Sequence, residues 1–347
     1  MNNNCADDEL FPKFSGYVMC LERNVLESIM EPNLIEGSHE LGTKHKILYH
    51  YCSLTSFFSI INSNCFWLSY PKFMNDLSEY KNSKEVIIEN LEKCKSNSIL
   101  NLGFSQIVEQ IIEKIKSFDE DPGSDLEYKK YDFCISFTSE NDSLPMWCGY
   151  TGKDVGVSIG LNFADSKYFY AGRWNLFEPK PRGRFVDLIY DNNKLARIVK
   201  DYFDGMVKYY NTLTVSDRNI LQSRFIHKMV SFYLSCTYYF KNSNFEYEKE
   251  TRFTYSVLGD TRIIKYRVKN NFIVPYMEYP PLPIEINRDE LIISRNSYIL
   301  PIISVMISPN TEEPNMVLDS IKAYLHSHGY DVEKIHFGKS KIPFKSR

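Results

Sequence analysis

Residues 49–76, YHYCSLTSFFSIINSNCFWLSYPKFMND, open with a histidine between two tyrosines at the end of an apolar run. Read outward from that trio, residues 47–51 fit a strand, 55–62 a short helix and 66–69 a second strand. A Tyr or His on a strand most often packs half-buried with its polar tip satisfied. The trio therefore needs company elsewhere in the chain before it points to chemistry.

Downstream the spacing turns helical between 83 and 117. Val86, Ile87 and Leu91, then Phe104, Ile107, Val108, Ile111, Ile112 and Ile115 form one apolar stripe, expected as two helices joined by a loop. DEDPGSD (119–125) is a turn. YDFCISFT (131–138) and GVSIGL (156–161) are buried strands flanking SLPMWCGYTGKD, where a Gly-rich turn leads into the second strand. A helical region covers 194–240, with Leu195, Ile198, Val199, Tyr202, Phe203 and Met206 on one face. Strands are expected at FEYEKETRFTYSV (245–257), RIIKYRV (262–268) and NFIVPYM (271–277). The last fifty residues run strand (302–308), helix (316–328) stopped by Gly329, and strand (332–337). Residues 1–44 are polar and mixed, with Leu26, Met30 and Leu34 at helical spacing, and form an N-terminal extension to a core beginning near residue 45. The order is α+β.

At 347 residues, 43% hydrophobic and 15% aromatic, the chain has enough apolar content for a sizeable core. A net charge of -3 argues against a basic surface spread over the whole molecule, while leaving room for a local basic patch. The eight cysteines contain no CxxC pair and suggest neither a zinc ribbon nor a disulfide framework. They are expected to be reduced thiols. The N-terminus lacks a basic then apolar leader, and no run reaches the roughly 18 apolar residues of a membrane span. A cytoplasmic protein with no membrane partner is the expectation.

FEYEKETRF (245–253) carries the densest charge pattern. On a strand, residues two apart share a face, so Glu246, Glu248, Glu250 and Arg252 would point one way. A solvated face tolerates such a row, because exposed charges interact weakly. A cleft would use it differently: Arg252 holds one carboxylate, and another hydrogen-bonds a substrate hydroxyl or stabilises a developing cation. His326-x-His328 lacks the i, i+4 spacing of a helical metal pair, so no metal is expected.

In chain order the features are a strand His, an aromatic pair before a strand (Trp147 and Tyr150) and a strand E-x-E. That order resembles the ADP-ribosyltransferase fold. The chain more closely resembles the bacterial domain-of-unknown-function family 2971 over residues 45–340. The resemblance rests on Tyr49-His50-Tyr51, Asn75-Asp76 with Glu79, Ser136-Phe137-Thr138 with Met146-Trp147 and Tyr150-Thr151-Gly152, and Phe245 through Arg252. Thr138, Leu77 and Phe245 depart from the usual Ser, Pro and Trp, and none of these departures removes an ionisable group.

The resemblance implies a split, mixed β-sheet core over 45–347 with a helical insertion at 80–120, and a cleft for NAD as co-substrate. His50 would bind the ribose or diphosphate portion, Tyr150 would stack on nicotinamide, and Trp147 or Tyr51 would be its substitute, with Tyr49 and Arg252 completing the cofactor side. Glu250, flanked by Glu248, would stabilise the positive charge left on the ribose. Either Glu248 or Glu250 is the catalytic acid on this reading. Asn75, Asp76 and Glu79 form a turn-and-cap signature with a substrate-side role as the alternative. The resemblance also implies a toxin of a toxin–antitoxin or phage-defence system, modifying a macromolecule. RNA is favoured as acceptor over DNA or a translation protein, and an antitoxin is a further partner. A non-enzymatic nucleotide- or partner-binding module on a degenerate transferase fold is the alternative.

Overall fold

The helical periodicities become helices that gather together, and the alternating runs become one sheet. The computed structural model describes residues 4–27, 47–74, 77–97, 102–117, 130–151, 155–163, 183–237, 239–258, 261–269, 271–279 and 299–344. Two units result, each discontinuous in sequence. The first comprises Met1–Asn33, Asn75–Lys130 and Ile189–Asn244, and the second Leu34–Met74, Tyr131–Leu188 and Phe245–Arg347.

The first unit is helical. It contains α1 (Asn4–Glu27), α3 (Leu77–Asn97), α4 (Leu102–Ser117), α6 (Asn192–Thr212) and α7 (Val215–Cys236), with α2 and α5 belonging to the second unit. The stripe residues Ile87, Leu91, Phe104, Ile107, Val108, Ile111, Ile112 and Ile115 are buried together with Leu195, Ile198, Val199, Tyr202, Phe203 and Met206. Asp191 and Thr214 start α6 and α7 by accepting hydrogen bonds from the N–H groups of Asn193 and Asp217. Part of the expected N-terminal extension is α1. Its Leu21 approaches Gly205 of α6 so closely that a Cβ there would meet Leu21 Cδ1 at 2.5 Å. Met30, Leu34 and the side chain of Leu26 lie outside the described residues.

The second unit holds the sheet and is α+β. Its elements are β1 (Ile47–Ser53), α2 (Leu54–Ser63), β2 (Phe66–Ser69), β3 (Lys130–Thr138), α5 (Leu144–Tyr150), β4 (Gly156–Asn162), β5 (Gly183–Asp187), β6 (Glu250–Leu258), β7 (Ile264–Lys269), β8 (Phe272–Tyr279), β9 (Ile302–Ile307), α8 (Pro314–Ser327) and β10 (His336–Lys339). The ten strands form one mixed open sheet, ordered β10-β9-β4-β1-β3-β2-β8-β7, with β6 pairing to β3 and β5. β9 and β10 are parallel, while β1 pairs antiparallel with β4.

Three strands, β1, β2 and β6, share the two edges of β3, so the sheet forks there. β1 and β4 are in register from Ile47↔Asn162 to Ser53↔Gly156, but β1 meets β3 at one Cα pair among the described residues, Tyr49↔Thr138. The two strands diverge from that point. Phe66, Leu68, Phe133, Phe137, Val157, Ile159, Phe253 and Tyr279 fill the core on one side of the sheet.

Several expectations are corrected. Residues 245–249 are not strand: Ser243–Glu248 form a 3-10 helix, opened by Asn242 Oδ1 accepting the Asn244 N–H at 2.9 Å. Lys249 then takes a left-handed φ of 42°, and β6 begins at Glu250. The shared strand face of Glu246, Glu248, Glu250 and Arg252 therefore does not exist, and Glu246 is exposed while the other three are buried. Residues 144–150, for which no element was expected between the two strands, are a helix, with Pro145 in its first turn, where a missing N–H costs nothing. Val332–Lys334 is a 3-10 turn ahead of β10. Gly329 ends α8 as expected, at φ 83°, with its N–H donating to His326 O at 3.0 Å.

Candidate active site

Strand alternation puts Tyr49 and Tyr51 on one face of β1 and His50 on the other, between the buried Leu48 and Cys52. Where β1 and β3 diverge, Ser136 O would lack its ladder partner. His50 supplies one: its Nδ1 lies 3.0 Å from Ser136 O. A carbonyl only accepts, so Nδ1 carries the proton and the neutral ring keeps its lone pair on Nε2. Burial among Phe66 and Phe137, whose rings meet His50 edge-on at 5.5 and 5.7 Å, lowers its pKa below the ordinary value, against the opposing pull of the Ser136 carbonyl.

On the other face, Tyr49 lies over Gly160 of β4. A Cβ at Gly160 would come within 2.9 Å of Tyr49 Cε1 and 2.1 Å of Ser304 Oγ, so only glycine admits the ring there. Tyr51 donates to Glu140 O at 3.0 Å and accepts from Ser143 N–H at 3.1 Å, which fixes the entry to α5. Burial pushes its phenol well above the ordinary range.

On α5, Met146 and Tyr150 are four apart and share a face. Both line a hollow together with Tyr49, His50, Tyr51, Ser136, Phe137, Glu248 and Glu250. It holds about 50 Å³, or roughly three to five waters. Trp147 does not line it. Its ring is buried edge-on against Tyr51 at 4.7 Å, and its indole N–H donates to Asp142 at 2.8 Å. Asp142 also accepts from Ser340 Oγ at 2.6 Å and Lys341 N–H at 3.1 Å, so Trp147 joins the C-terminal segment to α5.

The two carboxylates reach the hollow from the break between the 3-10 helix and β6. Glu250 Oε1 accepts from Ser136 Oγ at 2.5 Å and from Arg252 Nε at 2.7 Å, and all but 4% of Glu250 and 3% of Arg252 is buried. The guanidinium favours the ionised carboxylate. Glu248 Oε2 accepts from Tyr150 Oη at 2.8 Å. Lys249, between them, turns outward and pairs with Glu140 at 2.5 Å.

The structure thus brings together His50, Tyr49, Tyr51, Tyr150, Glu248 and Glu250, with Arg252 behind Glu250. Asn75, Asp76 and the side chain of Glu79 lie outside the described residues. Sequence reasoning missed Ser136, whose carbonyl orients His50 and whose hydroxyl orients Glu250. Its place in the quoted Ser136-Phe137-Thr138 motif was the available signal. Among the described residues, no cluster of three His, Cys, Asp or Glu is arranged to hold a metal, and no helix is long and apolar enough to cross a membrane.

Residues 146–253 match the model of a family described as "Protein of unknown function (DUF2971)", which supports the family assignment drawn from the motifs. The matched segment contains Tyr150, Glu248, Glu250 and Arg252. No curated protein and no solved structure matches the chain.

Proposed function

We propose that the sheet unit transfers ADP-ribose from NAD to a macromolecular acceptor, with RNA as the favoured acceptor, and acts as a growth-arresting effector of a toxin–antitoxin or phage-defence system. One observation carries the reading: a buried carboxylate, paired with Arg252 and oriented by Ser136, faces a small hollow shared with a neutral histidine and a tyrosine. The donor set suits NAD, since the walls of the hollow offer an aromatic face and acceptors for ribose hydroxyls.

Each residue has a distinct task. Tyr150 presents its ring to nicotinamide, and the hydrogen bond to Glu248 fixes its tilt. His50 offers the Nε2 lone pair to a ribose hydroxyl. As the C1′–N bond breaks, its electron pair leaves with nicotinamide and positive charge grows on the ribose. The Glu250 carboxylate stabilises that charge more in the transition state than in the ground state. The acceptor's nucleophile then bonds to C1′, and Glu248 is the base that takes its proton.

The binding-module alternative is favoured by one fact, that Glu250 already has Arg252 and Ser136 as partners. Incubating the protein with labelled NAD and cell lysate, then separating RNA, DNA and protein, decides between the two. The transferase reading expects label in the RNA fraction with wild type and none with Glu250→Gln. Label in no fraction from folded wild type would overturn it.

A further inference from the structure

The sheet ends in an exposed hairpin whose two faces differ. The register pairs Lys265↔Tyr276, Arg267↔Val274 and Lys269↔Phe272 between β7 and β8, and Trp67↔Glu278 and Ser69↔Tyr276 between β2 and β8. Opposed residues share a face. One face of this three-strand edge therefore collects Lys265, Arg267 and Lys269 with Trp67, Tyr276 and Phe272. Trp67 is 43% exposed and Phe272 63%.

Exposed apolar side chains gathered in one patch, rather than scattered singly, mark interaction sites. The Arg267 guanidinium lies over Trp67 at 5.1 Å and Tyr276 at 5.5 Å, and its Nη2 donates to Ser69 Oγ at 3.2 Å. Its Nε–H is buried without an acceptor. An unpaired buried donor is destabilising, and an acceptor brought by a ligand relieves it. The neighbouring cation also depresses the pKa of Lys269, adding to the larger effect of burial. Cations spaced along a strand beside the two accessible rings, Trp67 and Phe272, with Tyr276 and Val274 buried between, match the needs of a nucleic-acid single strand: phosphates on the cations, bases on the rings. The acid on this face, Glu278, pairs with Lys265 at 2.9 Å. A carboxylate repels phosphate but accepts a 2′-hydroxyl, which RNA carries and DNA lacks.

We propose that the β2–β8–β7 face, built on Trp67, Arg267, Lys269 and Phe272, binds single-stranded RNA. That this RNA is also the acceptor rests on the transferase reading, whereas binding does not.

The test is fluorescence anisotropy with a labelled 12-nucleotide RNA and a DNA of matched sequence, using the full chain. RNA should bind more tightly than DNA. Lys269→Ala and Phe272→Ser, both surface changes, should each weaken RNA binding by about tenfold. The salt slope should fall by about 0.7 on loss of Lys269. Glu250→Gln should bind RNA as wild type does, so failure of the catalytic reading leaves this result intact. Absence of RNA binding by folded wild type, equal binding of DNA, or unchanged binding in both surface variants would overturn the proposal, as would tight binding of an acidic protein instead of RNA.

Discussion

Glu248 and Glu250 stand two residues apart and are equally buried, yet they belong to differently built regions. Glu250 opens a strand and is held by a guanidinium two residues on and a hydroxyl from β3. Glu248 closes a 3-10 helix and accepts from a tyrosine on α5. The difference teaches how one short stretch can serve two roles. The strand fixes one charge rigidly, and the turn leaves the other dependent on a neighbouring helix.

The largest expected effect comes from the rigid side. Arg252→Ala strands the Glu250 charge in a buried site and should destabilise the sheet unit by about 3–5 kcal/mol, measured by urea unfolding. On the other side, Tyr150→Phe keeps the ring but removes one hydrogen bond to a carboxylate. It should cost about 1.5–3 kcal/mol and weaken NAD binding less than Tyr150→Ala does, by calorimetry. A Tyr150→Phe loss as large as that of Arg252→Ala would erase the contrast.

The hinge between the carboxylates is Lys249 at φ 42°. Lys249→Gly should be tolerated within a few tenths of a kcal/mol, whereas Lys249→Val should cost on the order of 1–2 kcal/mol because a β-branched residue resists that conformation. Thermal melts of the two variants give the ordering.

The last effect is a pH dependence. The folded pKa of His50 lies below its ordinary value of 6.5. Above that pH the ring is neutral folded or unfolded and contributes no slope. Below it the unfolded chain takes up a proton that the folded ring resists, so stability falls with pH until the folded pKa is reached. Wild type should therefore lose up to about 1.4 kcal/mol per pH unit below pH 6.5 relative to His50→Gln. Parallel pH curves for the two would mean the ring is not held neutral.

The helical unit was legible because its faces repeat every 3.6 residues: the stripe from Ile87 to Ile115 and the face from Leu195 to Met206 are buried as read. The strands β1 to β4 and β7 to β9 were legible from alternation and apolar runs. The break at Lys249 was not, because nothing in YEKET distinguishes a left-handed lysine from a strand lysine. β5 escaped because GRFVD is short. Within the site, residue types suggested His50, Tyr150, Glu248 and Glu250, but the fork at β3 that lets Ser136 support both His50 and Glu250 is a long-range pairing. Trp147 was the expected substitute for Tyr150 as the stacking ring, and its indole is spent on Asp142 instead of the hollow.

The most direct measurement is the initial rate of nicotinamide release from NAD by wild type, Glu250→Gln and Glu248→Gln at matched folded concentration. Glu250→Gln should fall by about a hundredfold or more with little change in KM, because the lost charge acts on the transition state. Glu248→Gln should retain release from NAD, since its proton-accepting task follows bond breaking. Full activity in Glu250→Gln with collapse in Glu248→Gln would contradict the assignment of the strand carboxylate as the charge-stabilising group.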